Sequence, residues 1–202
     1  MSDDGDAKTD SPKAGTTDTS DVEKADIELG KKIAKHRHHP LAKAAGKAGK
    51  FGDQEPLYAL ASGVLIVGVT ARDRRVTDTG LSMLAAIAAA DVIKRVAKRL
   101  VRRTRPRALL EHGRYEADAG GSDRKPEQSF PSGHTACTVA AARAISRHVP
   151  EASAAAGAAA IAIGVSRVAE GKHWPLDVAA GALIGLVAEA FSALFFDRPA
   201  QP

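Results

Sequence analysis

Residues 176–196 read LDVAAGALIGLVAEAFSALFF, an apolar run interrupted only by Asp177 and Glu189. A helix needs about 20 such residues to cross the hydrocarbon of a bilayer, and this run alone reaches that length. Three more segments, 57–69, 79–93 and 153–165, are nearly free of charge. The segment 153–165 is mostly alanine, a weak membrane signal by itself, but small residues let helices approach closely inside a membrane bundle. A soluble core built from so much Ala and Gly would be poorly filled. The expected fold is therefore all-α, an integral membrane helical bundle of about five apolar helices. An additional basic amphipathic helix is expected on its N-terminal side.

Overall composition conceals this pattern. Of the 202 residues, 44% are hydrophobic, a value typical of soluble proteins, because the basic residues crowd between the apolar runs. Residues 1–26 are rich in Asp, Ser, Thr, Gly and Lys and cannot offset the entropy of ordering, so a disordered tail is expected. They lack the n-region and h-region of a secretory signal. Residues 27–52 read as a basic arm, with Lys31, Lys32, Lys35, Lys43 and Lys47 set around Ile27, Leu29, Ile33 and Leu41. Such an arm suits an anionic membrane surface or a solvated flank equally. Its histidines, His36, His38 and His39, have no clear partners for a metal site. Residues 53–197 form the helical domain proper.

The net charge of +5 favours anionic partners without choosing among lipid headgroups, a phosphate substrate and nucleic acid. Aromatic residues, at 4%, are too scarce for a base-stacking platform, which argues against nucleic acid. The one cysteine, Cys137, excludes an intrachain disulfide and a thiolate metal cluster, and suits plain helix packing.

Along the chain, helices are expected at 57–70, 79–104, 131–148, 152–168 and 175–196, with a polar turn at 72–78. The second carries Leu81, Leu84, Ile87, Val92, Ile93 and Val96 inward and ends in a run where eight of the fourteen residues 94–107 are Lys or Arg. Pro106 closes that helix, and residues 107–130 form a long polar loop of the kind that carries function. Pro175 suits the first position of the last helix. If the helices alternate in direction, the end of 79–104, the start of 131–148, the end of 152–168 and the start of 175–196 share one face.

The chemically informative residues lie at those four ends. Pro131-Ser132-Gly133-His134 opens a helix, where unpaired N–H groups and the helix dipole suit a phosphate oxygen. Ser132 adds a hydroxyl, and Gly133 allows close approach because it lacks Cβ. Lys98 and Arg105, two helical turns apart, and Arg167 from another helix end supply fixed cations that fit the oxygens of a phosphoryl group. Arg102, Arg103 and Arg107 read as surface or headgroup cations. His173 can attack phosphorus directly and form a phosphohistidine, while Asp177 orients its other ring nitrogen. His134 then protonates the departing oxygen and assists the water that cleaves the intermediate. Taken singly, each residue has an ordinary structural use; the combination points to phosphoryl transfer.

Three stretches carry a family resemblance: residues 98–106, KRLVRRTRP; residues 131–134, PSGH; and residues 166–177, SRVAEGKHWPLD. In order and internal spacing they resemble the motifs of the type 2 phosphatidic acid phosphatase superfamily over residues 79–196. The resemblance implies a helical membrane enzyme that needs no metal or other cofactor. It assigns Lys98, Arg105, Ser132, Gly133 and Arg167 to phosphate binding. It makes His134 the general acid, His173 the nucleophile and Asp177 its orienting partner, with Ser166 in a supporting role. It implies a phosphorylated lipid or isoprenoid substrate, monoester or diphosphate, among anionic membrane lipids. The active face would be extracytoplasmic in a bacterial inner or plasma membrane, which sets the N-terminal arm on that same side. Two other readings compete: a soluble acid phosphatase or vanadium-dependent haloperoxidase-like enzyme, and a non-enzymatic basic membrane scaffold. The chain is short beside six-span members of the family, and the oligomeric state is left open.

Overall fold

The computed structural model describes residues 20–196; residues 1–19, where most of the expected tail falls, lie outside the described residues. Eight α-helices dominate the described residues: α1 (Asp21–Ala34), α2 (Pro40–Ala48), α3 (Gln54–Ala71), α4 (Arg74–Leu100), α5 (Pro106–His112), α6 (Gly133–His148), α7 (Ser153–Ala169) and α8 (Pro175–Phe196). Among the described residues four stretches, Gln54–Ala71, Arg74–Leu100, Pro150–Ala169 and Pro175–Phe195, are long and apolar enough to cross a membrane. The fold is the expected all-α membrane bundle, with α6 at its centre between α4, α7 and α8.

Small residues set the packing. The core is Leu57, Ala61, Met83, Ala86, Ile87, Ala90, Ala136, Cys137, Ala140, Ala141, Ala144 and Ala188. Two glycines let α8 lie against α6: a Cβ at Gly181 would stand 2.4 Å from the Ser132 carbonyl oxygen, and one at Gly185 2.5 Å from that of Ala136. Large apolar side chains turn outward instead; Val92 is 61% exposed, Leu183 62% and Leu194 78%. In water that surface would be unfavourable, whereas a bilayer solvates it. The same fact corrects the expected inner face of α4. Ile87 is buried, but Leu81, Val92 and Val96 are exposed, and Met83, Ala86 and Ala90 take the inner positions. Where the outer solvent is also apolar, hydrophobicity does not mark the inside.

The helices do alternate in direction. At the end remote from the motifs, Arg75 Nε donates to the His148 carbonyl at 2.6 Å, joining the start of α4 to the end of α6. Within the apolar run 176–196, Glu189 is 3% exposed and pairs with Arg147 Nε at 2.6 Å, since a buried carboxylate requires a counter-charge.

Four boundaries differ from the sequence expectation. Helix α1 begins at Asp21, ahead of the expected arm, where Ser20 caps it, its hydroxyl accepting from the Glu23 N–H at 3.3 Å. The arm is two helices rather than one, with a turn at 35–39 before Pro40 opens α2. The basic helix ends at Leu100, not at Pro106. There β1 (Val101–Arg103) pairs antiparallel with β2 (Ala117–Ala119), a register running from Val101↔Ala119 to Arg103↔Ala117. Pro106 then opens α5 instead of closing a helix. The turn between α3 and α4 is also shorter than residues 72–78: Arg72 ends α3 in the left-handed region, with φ 55, and Asp73 caps α4 by accepting from the Val76 N–H at 3.1 Å.

Candidate active site

At the motif-bearing end of the bundle a cavity of about 210 Å³ is lined by Gly52, Asp53, Gln54, Lys94, Lys98, Arg105, Gly133, His134, Lys172 and His173. The start of α3, the end of α4, the start of α6 and the loop between α7 and α8 all contribute to its wall. Lys98, Arg105, Gly133, His134 and His173 therefore meet although α4 stops between the first two. Lys98 Nζ donates to the Gln128 carbonyl at 2.9 Å, and Arg105 Nη2 reaches the same oxygen at 3.4 Å. Arg105 keeps one buried donor, Nε, without a protein partner among the described residues. Burial lowers its pKa despite the opposing pull of Asp177. An incoming oxyanion would satisfy that donor.

His173 is 3% exposed. Its Nδ1 lies 2.7 Å from the Ser129 carbonyl oxygen and 3.8 Å from Asp177 Oδ2. A carbonyl oxygen only accepts, so Nδ1 carries the hydrogen and Nε2 the lone pair. Burial is the largest influence on the ring and lowers its pKa below the ordinary value, against the stabilising pull of Asp177. A neutral imidazole with a free Nε2 is the nucleophilic form.

The expected direct contact from Asp177 to the imidazole is thus replaced by an indirect one. Asp177 is fully buried and sits in the first turn of α8. Its Oδ2 accepts from Ser129 Oγ at 2.5 Å and from the Trp174 N–H at 2.8 Å, the reach-back of a capping box. Its Oδ1 accepts from Arg103 Nη1 at 2.7 Å. Ser129 joins the two functional groups, with its hydroxyl on the carboxylate and its carbonyl on the ring. Arg103, expected at the surface, is 5% exposed. Arg102 and Arg107 behave as anticipated, pairing with Asp118 at 2.9 Å and Glu111 at 2.9 Å near solvent.

Three motif residues stand behind the cavity wall. Ser132 is fully buried, its hydroxyl 2.9 Å from Thr135 Oγ1, while its N–H donates to the Asp177 carbonyl at 3.0 Å. Arg167, 1% exposed, pairs with Glu170 at 3.0 Å and reaches the Gly46 carbonyl at 3.4 Å. The arm lies directly on it: a Cβ at Gly49 would fall 1.8 Å from Arg167 Nη2. Ser166 Oγ accepts from Arg167 Nε at 3.2 Å and donates to the Ile163 carbonyl at 2.7 Å, which orients the guanidinium.

Sequence reasoning missed Asp53, Lys94 and Lys172 in the wall. Asp53 precedes an apolar run, the usual place for a helix cap, yet its carboxylate bonds to His134 Nε2 instead of capping α3. Lys94 is held by Asp91 Oδ1 at 2.7 Å, and Lys172 by Glu170 at 3.0 Å. The capping-box spacing of Ser20 and Glu23 was the available signal for α1. Nothing local distinguished Arg103 from its basic neighbours.

The family model for the PAP2 superfamily matches residues 79–199. The chain is 37% identical over 91 residues to a non-specific acid phosphatase of Salmonella typhi, covering 45% of this chain and 36% of that protein. It is 35% identical over 101 residues to a lipid A 1-phosphatase of Rhizobium johnstonii, covering 50% and 41%. The matches therefore span less than half the length of these curated relatives. Among solved structures, Aquifex aeolicus LpxE superposes with a TM-score of 0.63 at 28% identity, covering 83% of this chain and 94% of that one. The first transmembrane PAP2-type phosphatidylglycerolphosphate phosphatase from Bacillus subtilis gives a TM-score of 0.64 at 23% identity, with 91% of each chain covered. At that identity the second likeness is one of fold.

Proposed function

Because the chain belongs to the PAP2 superfamily, we propose that it hydrolyses a lipid phosphate, monoester or diphosphate, through a phosphohistidine and without a metal. The observation that carries this reading is the shared cavity of Lys98, Arg105, Gly133, His134 and His173 within a membrane bundle. His173 Nε2 attacks phosphorus as the ester P–O bond breaks, and His134 delivers a proton to the leaving oxygen. Water, activated by His134, then cleaves the N–P bond and releases phosphate. Lys98 and Arg105 hold the equatorial oxygens with Gly133 and the start of α6, while Ser132, Ser166 and Arg167 support them from behind. Asp177 keeps the imidazole oriented through Ser129.

A lipid substrate is favoured because the site lies at one end of apolar spans, where a headgroup would sit while its tail remains among the helices. The lipid A 1-phosphatase relative points the same way. We place the active face on the extracytoplasmic side of a bacterial inner or plasma membrane, with Arg72, Arg74, Arg75 and Arg147 at the cytoplasmic end, following the positive-inside tendency.

Phosphate release from phosphatidic acid, phosphatidylglycerol phosphate, lipid A and polyprenyl mono- and diphosphates tests this directly, with EDTA present. Turnover of at least one lipid is expected, together with a labelled phosphoenzyme that His173→Ala abolishes. Undiminished turnover in folded His173→Ala would refute the nucleophile, and dependence on added metal would refute the metal-free route.

A further inference from the structure

The N-terminal helix α1 presents an unusual buried stripe. Its most enclosed residues are Asp26, Gly30 and Ala34, spaced i, i+4 and i+8 on one face, whereas the apolar Leu29 is 51% exposed. That face seats on the loop carrying His173. A Cβ at Gly30 would fall 2.3 Å from Trp174 Cε3, and one at Gly171 would stand 3.3 Å from the Ala34 Cβ. Asp26, only 6% exposed, divides its carboxylate between two partners. Oδ1 accepts from the Leu176 N–H at 2.9 Å, an otherwise unpaired donor in the first turn of α8. Oδ2 accepts from Arg103 Nη2 at 2.8 Å.

Arg103 is consequently held between two buried carboxylates, Asp26 and Asp177. Its Nε donates to Tyr115 Oη at 3.0 Å, the Tyr115 hydroxyl donates to Glu23 of α1 at 2.5 Å, and the guanidinium lies 5.6 Å from the Trp174 ring centre. Neither Asp26 nor Arg103 lines the cavity. We infer that Asp26 and Arg103 are positioning residues for the reaction, α1 acting as a clamp that sets the catalytic imidazole through the sequence Asp26, Arg103, Asp177, Ser129, His173. The successive hydrogen bonds measure 2.8, 2.7, 2.5 and 2.7 Å. A guanidinium fork fixes the plane of the carboxylates it binds. Arg103 thereby leaves Asp177 Oδ2 facing Ser129 and Trp174, and Asp26 prevents the fork from swinging.

The inference rests on His173 as nucleophile, and its test keeps the two separable. Steady-state kinetics would be measured on the purified full chain with Asp26→Asn, Asp26→Ala, Arg103→Gln and the double variant Asp26→Ala/Arg103→Gln. Arg102→Gln serves as a surface control and His173→Ala as the reference. Each single variant is expected to lower kcat about tenfold or more, as loss of an orienting partner does elsewhere, with KM within about twofold because the phosphate-lining residues are untouched. The double variant is expected to be no slower than the slower single one, since both act through one path. Asp26→Asn keeps an acceptor for Leu176 and the side-chain volume, so it decides the matter should Asp26→Ala not fold. Full kcat in folded Asp26→Asn would overturn the clamp, as would multiplicative losses in the double variant or a rise in KM alone. Activity surviving in His173→Ala would instead overturn the phosphohistidine reading.

Discussion

Substituting asparagine at Asp177 removes one charge and hardly changes volume, so its consequences can be worked out bond by bond. The carboxylate accepts three hydrogen bonds, from Arg103 Nη1, Ser129 Oγ and the Trp174 N–H. An amide has one acceptor oxygen. If that oxygen faces Ser129 and Trp174, the NH2 group points at a guanidinium; if it faces Arg103, the NH2 meets the Trp174 N–H. Either orientation leaves opposed donors at a position with no exposure. Breaking a buried ion pair by removing one partner costs about 3–5 kcal/mol. At about 2–4 °C per kcal/mol for a chain of this size, melting should fall by at least about 6 °C. Ser129 would also lose its anchor and with it the fixed place of the His173 Nδ1 acceptor. A displacement near 1 Å costs about a hundredfold in rate, so Asp177→Asn should lower kcat by about that factor. Phosphate release from the best lipid, with thermal unfolding of the same preparation, measures both. A variant that keeps kcat within threefold and melts as the parent does would refute the reasoning.

The buried, neutral His173 has its pKa below the ordinary 6.5. Its lone pair is lost only when pH falls through that lowered value, so the acid limb of kcat/KM should lie below pH 6.5; a limb at or above it would show that the ring titrates as if solvated. Gly181→Ala should destabilise the bundle by about 1–3 kcal/mol, because the new Cβ would meet the Ser132 carbonyl at 2.4 Å. Gly157→Ala, with nothing within 4 Å of its Cβ, should be neutral or gain up to about 1 kcal/mol of helix propensity; unfolding in detergent compares the two.

Much of this molecule was legible in its sequence because the two strongest signals are local. Uncharged runs marked α3, α7 and α8 to within a few residues and the middle of α4, and the motif residues marked the end of the bundle where chemistry gathers. The misreadings share a different origin. Leu100 ends α4 because Val101–Arg103 pairs with residues sixteen or so positions later in the chain, a non-local bond that helix periodicity does not register. Arg103 looks like any other cation in a basic run until Asp26 and Asp177, 77 and 74 residues away, enclose it. Arg167 was expected at the cavity wall, yet Glu170 and the Gly46 carbonyl hold it beneath the arm. Asp53 lies before the expected first helix, and only the folded chain shows that His134 takes its carboxylate.

The acceptor chosen for His173 Nδ1 has a chemical corollary. A main-chain carbonyl takes up no proton at any accessible pH, so on the proposed route the ring cannot discharge its positive charge once phosphorus is attached. The phosphorylated ring stays cationic, and neutral imidazole departs readily when water attacks phosphorus. On that route Ser129 biases the covalent state toward brevity.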